Sequence, residues 1–275
     1  MRSLIRVTGG LAPALINICL LGLLAGSTPG SDPGTVPEPP ADPGTLVLQL
    51  REWRSMTPVY ERAELPEFSI YGGGRVIVGG NWDGSVHQAR EYQLDQDRYR
   101  QIYRLAHAAG LVRARHLDDP VPATDGSLLV ASLRSAGRLH TTTLVSPTED
   151  DTGARRRIVE FRRTLRVLVP TADRVGGAGY HPTRVAVLAT GGWGAPTEAD
   201  ASPPWAGPDL LAGVRTQVGV CTLLDPAGPD AATVALARAA PLTTRWRSGG
   251  QLLGVAVRPL LPDEHDCADL DRRAP

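Results

Sequence analysis

Alternating apolar and polar positions predict several strands in this chain. Every second residue is leucine at the start of segment 46–53, as expected when one face of a strand enters a core. Strand-like segments at 68–71 and 75–78 flank the glycines 72–74, which supply the positive φ angles that a tight hairpin turn needs. Two further apolar segments flank a turn at 135–138. The first half of the chain therefore predicts paired, hairpin-forming strands.

Two other segments repeat apolar residues at helical spacing. The first begins after Asp95, a good N-cap residue, and ends at Gly110. The second ends at Pro170 and has an apolar stripe opposite an arginine-rich face. The stripe is Ile158, Phe161, Leu165 and Leu168, and the arginines are Arg155, Arg156, Arg162, Arg163 and Arg166.

The composition changes between residues 191 and 213, where several prolines stand among glycine, alanine and acidic residues. Such a composition is typical of a linker. After it come a strand-like segment at 217–223, a short helix at 230–239 and a hairpin that turns at 248–250. Hairpins with interposed helices predict an α+β protein, with antiparallel sheets and helices packed on one face.

The same features predict the domain organisation. We expect a main α+β domain, a Pro/Gly-rich linker, a small C-terminal β-α-β-β lobe and a short tail. Their ranges are 45–190, 191–213, 214–267 and 268–275.

Residues 1–27 have the order of charge and hydrophobicity of a signal peptide. Two early arginines precede an uncharged apolar stretch from Leu11 to Ala25. That stretch is shorter than the roughly 20 apolar residues of a membrane-spanning helix, so we expect cleavage after Ser27. A retained anchor is the alternative, and then the protein would contact the membrane. Residues 28–44 are polar and rich in proline and glycine, which predicts a disordered tether.

Export also determines the chemistry expected of the cysteines. Cys19 lies in the signal segment, which leaves Cys221 and Cys267 in the mature chain. Two cysteines in an oxidising compartment predict a disulfide that fastens the end of the chain to the start of the C-terminal lobe. The alternative is a pair of free thiols.

Net charge argues against one class of partner. The chain has 29 basic and 29 acidic residues, so no global field draws it to nucleic acid. The sequence also lacks the common motifs of a nucleophile elbow, a zinc protease, a P-loop and a C-x-x-C redox site. We therefore expect no cofactor. Whether the protein is an enzyme stays uncertain, and the favoured interpretation is that it is not.

Several groups of residues carry candidate chemistry. A metal could be held by His116, Asp118 and Asp119, or by Asp263, Glu264, His265 and Asp266, although solvated loops are the favoured interpretation. A nucleophile and base could come from Ser132, Ser135 and His140, although ordinary sheet surface is favoured. The arginine-rich helix face could bind anions, although a solvent-exposed face is the simpler interpretation. Trp82 and Trp193 lie in glycine-rich loops and could bind sugar, although core packing is the simpler interpretation.

Three segments resemble secreted bacterial proteins of unknown function, chiefly actinobacterial. They are residues 66–77 (PEFSIYGGGRVI), the helix end at 108–111 (AAGL) and residues 258–264 (RPLLPDE). The first contains the hairpin pattern P-x-F-x-x-Y-G-x-G-R. The resemblance covers most of the mature chain and implies export and the α+β architecture, but no activity, substrate or cofactor.

Two classes of function follow. The first is an exported, non-catalytic binding or interaction module of the cell envelope or extracellular space, whose partner is another protein or an envelope polymer. The second is an extracytoplasmic hydrolase with an unrecognised active site. A deep pocket in which several polar side chains converge would favour the hydrolase.

Overall fold

A computed structural model describes most of the chain beyond its first residues. The described ranges are 36–54, 63–119, 126–169, 178–191 and 201–271. The predicted signal peptide and the first part of the predicted tether lie outside them. From Val36 onward the chain forms one compact unit. Among the described helices, none combines the length and the hydrophobicity needed to cross a membrane.

The described residues form a mixed α+β structure with one large sheet. The strands are β1 (Leu46–Arg54), β2 (Phe68–Tyr71), β3 (Arg75–Asp83), β4 (Val86–Gln93), β5 (Arg115–Leu117), β6 (Ser127–Ser135), β7 (Arg138–Val145), β8 (Ala178–Gly179), β9 (Val185–Gly191), β10 (Val214–Thr216), β11 (Gly219–Leu224), β12 (Arg245–Ser248) and β13 (Gln251–Pro259). The helices are α1 (Gln96–Ala108), α2 (Gly153–Leu168), α3 (Ala231–Ala239) and α4 (Ala268–Asp271).

The strand order differs from a purely antiparallel arrangement. It runs β10-β11-β9-β13-β4-β3-β2-β1-β6-β7-β5, with β12 paired to β13 and β8 paired to β4. The pairs β13–β4 and β5–β7 are parallel. A short turn forces neighbouring strands to be antiparallel, but these two pairs join strands that are separated in the sequence, so no turn fixes their direction. The prediction of antiparallel sheets is therefore wrong for these pairs.

The two long helices and strands β1–β7 bury a common core. Phe68 and Ile70 of β2 face Ile102 of α1 and Phe161 of α2 in one buried cluster. The alternating residues Ser69 and Tyr71 of β2 point to the opposite face, as the pleat requires. At the start of α1, the Asp95 carboxylate accepts a hydrogen bond from the Arg98 N–H at 2.8 Å, as expected of an N-cap.

The sheet continues across the predicted linker. Strand β9, which the sequence assigns to the main domain, lies between β11 and β13 of the predicted C-terminal lobe. Part of the linker, residues 192–200, lies outside the described residues. The rest contributes Trp205, which packs edge to face against Trp246 with ring centroids 5.3 Å apart. The division into a main domain and a C-terminal lobe stays a prediction. Strand pairing and core packing connect the two regions.

The folded part begins earlier than the predicted tether allows. The Pro40 carbonyl accepts hydrogen bonds from the Tyr99 hydroxyl at 2.7 Å and from the Gly73 N–H at 3.2 Å. Val36 packs against the buried cluster below α1. A side chain at Gly72 would overlap the backbone of Asp42, with its Cβ 2.1 Å from the Asp42 oxygen. Residues 36–44 therefore dock on the glycine turn, and the tether prediction is wrong for them.

The docking of residues 36–44 should make a measurable contribution to the free energy of unfolding. A chain beginning at Thr45 should have a free energy of unfolding about 2 kcal/mol lower than a chain beginning at Val36, because it leaves the Tyr99 hydroxyl without an acceptor and loses apolar contact. Urea unfolding measures the difference. Tyr99→Phe should recover part of the loss in the shorter chain, because no hydroxyl then lacks a partner. Equal stability of the two chains would contradict the docking.

Candidate functional site

An open pocket lies at the β10 end of the sheet, and we call it the disulfide pocket. It is bounded by the loop before β10, by β11 and by the start of α4, and its volume is about 500 Å³. The structure joins Cys221 to Cys267 by the predicted disulfide, with Cα atoms 5.9 Å apart. Both cysteines are buried and line this pocket. The pocket thus depends on a covalent link between β11 and the C-terminal segment.

The surface inside the disulfide pocket is mainly apolar. Ala212, Val214 and Leu223 line it beside the two cysteines. Val214 is 56% exposed, which is unusual for a β-branched apolar side chain in a strand. Strand β10 is the last strand at this side of the described sheet, so its outer edge has no strand partner there. An exposed apolar pocket beside the outermost strand of a sheet is suited to binding, not to core packing.

The rim of the disulfide pocket is acidic. An Asp209 carboxylate oxygen accepts hydrogen bonds from the Leu211 N–H at 3.1 Å and from the Ser248 hydroxyl at 2.9 Å. Asp266 accepts one from the Asp269 N–H at 3.0 Å. These bonds fix both carboxylates without neutralising them. In the described part of the chain, no basic side chain lies within 4.0 Å of either carboxylate.

One polar group in the pocket wall lacks a partner. The Thr222 hydroxyl is buried and, among the described residues, has no hydrogen-bond partner. A buried hydroxyl in this state destabilises a protein by about 1–3 kcal/mol. The backbone of Gly213 lies close to it, since a Cβ there would stand 2.6 Å from the Thr222 oxygen. The loop before β10 therefore closes tightly over β11.

A second groove, of about 320 Å³, follows the arginine-rich face of α2. Its arginines are mostly engaged by carboxylates. Arg156 pairs with Glu160 at 2.8 Å, Arg162 pairs with Glu52 at 2.6 Å, and Arg166 pairs with Glu67. The predicted anion site therefore has little uncompensated positive charge.

Arg155 differs from the solvated arginine that the helix pattern predicts. Its guanidinium is largely buried and pairs with Asp151 at 2.7 Å. It also donates to carbonyl oxygens at the ends of β5 and β7, those of Leu117, Asp118, Val145 and Ser146. The helix pattern places Arg155 on the polar face but does not reveal these backbone acceptors. Arg155 therefore ties α2 to the sheet.

The structure does not bring the candidate nucleophile and base together. The Ser132 hydroxyl lies 2.9 Å from the Thr141 hydroxyl. His140 is opposite Leu133, the residue after Ser132, so it lies on the other face of the sheet. Ser135 shares a face with His140, but in the described part of the chain no hydrogen bond joins their side chains. These residues therefore form no shared site.

The candidate metal ligands have structural contacts. His116 and Asp118 form an exposed pair at 3.2 Å. The Asp263 carboxylate accepts a hydrogen bond from the Tyr71 hydroxyl at 2.7 Å, while Glu264 pairs with Arg258. Within the described ranges, no three His, Cys, Asp or Glu side chains are grouped to hold a metal ion.

The tryptophans are divided between the core and partly exposed stacks. Trp82 stacks on His87 at 4.8 Å and donates to Glu64, while Trp53 lies against the Arg51 guanidinium at 4.9 Å. Trp193 lies outside the described residues. The ring of Trp82 is thus partly covered by protein, which leaves less of it for a sugar.

Sequence reasoning missed a buried polar cluster between two of the three segments that carry the resemblance, residues 66–77 and 258–264. The Tyr71–Asp263 hydrogen bond joins residues 66–77 directly to residues 258–264. Beside it, the Tyr180 hydroxyl donates to the Leu260 carbonyl at 2.8 Å, and burial raises the pKa of Tyr180 to about 12. The motifs that carry the resemblance therefore hold the C-terminal segment against the first half of the sheet.

His87 is buried in the same region and was not a candidate. Its Nδ1 accepts from the Leu65 N–H at 3.2 Å, so the proton on Nε2 is donated to the Gly80 carbonyl at 2.9 Å. Burial, together with the charges of Arg258 and Arg51, lowers the pKa of His87 to about 4. The imidazole is therefore neutral and has partners for both nitrogens.

Because the pKa of His87 is low in the folded protein, we expect the fold to lose stability at acidic pH. The unfolded chain binds a proton at His87 below about pH 6.5 and the folded chain does not, so the free energy of unfolding should fall by about 3 kcal/mol between pH 6.5 and 4. His87→Gln, whose amide can keep both hydrogen bonds, should flatten this part of the profile in urea unfolding. The exposed His265→Gln is the control. An unchanged slope in His87→Gln would assign the acid sensitivity to other groups.

No protein-family model, curated protein or solved structure matches the chain. The resemblance to secreted bacterial proteins stays a prediction, and the function has to be argued from the geometry of the disulfide pocket.

Proposed function

We propose that this protein is an exported binding module that holds a segment of another polypeptide in the disulfide pocket. The observation that carries the proposal is an open, mainly apolar pocket directly beside the unpaired edge of β10. Pockets of this size accept side chains and small ligands. A strand edge supplies backbone groups to an extended peptide, while a neighbouring pocket takes one of its side chains.

Two observations support a location outside the cytoplasm. The disulfide is of the kind that persists in oxidising compartments. The first 27 residues have the pattern of a signal peptide. The intact mass of protein recovered from the culture medium of the native host should correspond to a chain that starts near Thr28. Recovery of the chain from Met1, in membranes alone, would support an anchor instead.

The alternative is an exported hydrolase. Its candidate residues Ser132, Ser135 and His140 lie on β6 and β7, whereas the lining of the disulfide pocket comes from the other end of the sheet. No described contact joins these residues to that pocket. The geometry therefore favours binding over hydrolysis.

Selection from a random peptide library tests the proposal. Library members enriched on the mature protein should share apolar residues and should lose binding to Ala212→Trp, in which the new side chain fills the pocket. Ala212 is exposed, so this change should leave the fold intact. The matched control Ala235→Trp places the same side chain on the exposed face of α3. Peptides that bind the wild type and Ala212→Trp equally would overturn the proposal.

A further inference from the structure

The acidic rim of the disulfide pocket contrasts with the arginine-lined groove on α2. The chain has no net charge, and at the α2 end Glu52 and Glu67 pair with arginines. At the disulfide pocket, Asp209 and Asp266 make hydrogen bonds to neutral groups instead. Asp271 does the same, accepting from the Gln217 N–H at 2.8 Å. Carboxylates that have no ion-pair partner at the rim of a pocket create a local field that attracts cations.

The basic residue nearest in sequence to the pocket wall does not cancel this field within the pocket. Arg215 follows Val214 on β10, and adjacent side chains of a strand point to opposite faces. Val214 lines the pocket, so Arg215 points away from it. The residues that line the pocket include two aspartates and no basic residue. A ligand must therefore supply the positive charge.

The spacing of that charge follows from strand geometry. A peptide strand beside β10 sends every second side chain to the same face. When one side chain of the ligand enters the apolar pocket, the side chains two residues before and two residues after it lie on the same face of the ligand strand, toward the rim. Lysine or arginine is long enough to reach Asp209 or Asp266 from there, with its stem along the apolar wall.

Resting on the proposed function, we infer that the disulfide pocket selects an extended polypeptide with an apolar side chain and a lysine or arginine two residues away. The apolar side chain occupies the space between Val214, Leu223 and the disulfide. The basic side chain pairs with Asp209 or Asp266. Bonds from the ligand backbone to the edge of β10 set the register.

Short synthetic peptides of defined sequence test this specificity. All have Leu or Ser at the centre, with Lys, Ser or Glu at both positions two residues away. By fluorescence anisotropy at low salt, the Leu peptide with lysines should bind about tenfold more tightly than the Leu peptide with serines, because each exposed charge pair adds a modest increment. The Leu peptide with glutamates should bind most weakly of the Leu peptides, and added salt should reduce the advantage of lysine.

Charge-neutral variants of the protein locate the effect. Asp209→Asn with Asp266→Asn keeps oxygen acceptors for the described hydrogen bonds and removes both charges, so it should bind the lysine and serine peptides equally. The matched control is Asp95→Asn with Asp97→Asn, which makes the same change in net charge at the start of α1. This control should keep the preference for lysine. Thermal unfolding of each variant checks that it is folded.

The outcomes separate the two proposals. If no peptide binds the wild type, the proposed function fails together with the inference. If the Leu peptides bind regardless of flanking charge, the inference fails while the binding module stands. If the Ser peptide with lysines binds as well as the Leu peptide, the apolar pocket has no part in recognition, and the inference fails. If dodecyltrimethylammonium binds and the peptides do not, the occupant is an amphiphile, and both proposals are overturned.

Discussion

Replacement of both Cys221 and Cys267 by alanine should lower the free energy of unfolding by about 4 kcal/mol, because the disulfide closes a loop with a sequence separation of 46 residues. That loop contains α3, β12 and β13, so the unfolded chain loses much conformational freedom when the bond is present. For a protein of this size, the midpoint of thermal unfolding should fall by about 10 °C. Urea unfolding at neutral pH measures the change.

Reduction of the wild-type protein provides the matched comparison. Wild type in a phosphine reductant should approach the stability of the alanine variant, because both lack the cross-link. Peptide mapping without reductant should also recover the two cysteine peptides joined. Ready alkylation of both thiols in protein purified from its native host without reductant, or a double variant as stable as the oxidised wild type, would contradict this account.

Glu264→Gln should destabilise the protein by about 3–5 kcal/mol, because it leaves a buried arginine without its counter-charge. The side chains of Arg258 and Glu264 are 2% and 0% exposed, and their charged groups lie 2.5 Å apart. The same Glu264 oxygen accepts from the Leu261 N–H at 2.9 Å, so the carboxylate also fixes the turn after β13. Urea unfolding again gives the difference.

A double-mutant cycle separates the interaction between Arg258 and Glu264 from the contacts that each makes with its surroundings. Arg258→Met combined with Glu264→Gln removes both charges, so the double variant should be more stable than Glu264→Gln alone. Arg156→Met with Glu160→Gln is the exposed control and should show little coupling. Additive effects at the buried pair would mean that the two side chains do not stabilise each other.

Local patterns predicted the elements better than their assembly. The N-cap at Asp95, the buried stripe of α2 and the glycine turn after β2 depend on residues close in sequence, and all are present. The predicted strand at 217–223 corresponds to β11, but its first two residues, Gln217 and Val218, form the turn of a hairpin with β10. The turn contains no glycine at these two positions, so nothing in the pattern marked it.

The errors arise where distant residues meet. Residues 36–44 look like a solvated tether because their own composition contains little apolar surface, yet Tyr99 and the turn at Gly72–Gly74 supply the partners that order them. The same applies to the predicted linker, where Trp205 enters the core and Asp209 and Ala212 form part of the disulfide pocket. The cysteine count identified the bond beside the pocket. Nothing local in the sequence indicated the pocket itself.

The position of β13 in the sheet affects when the protein can fold. It pairs with β9 along seven residues and meets β4 at Val257 and Val86, two residues separated by most of the folded chain. Contacts of such long range are slow to form, because a large loop must close before they give any stability. Until Pro259 has emerged from the ribosome, one edge of β9 and the part of β4 at Val86 remain open to other chains. The last of the described strands thus completes the sheet, and a chain stalled before it would be prone to aggregate.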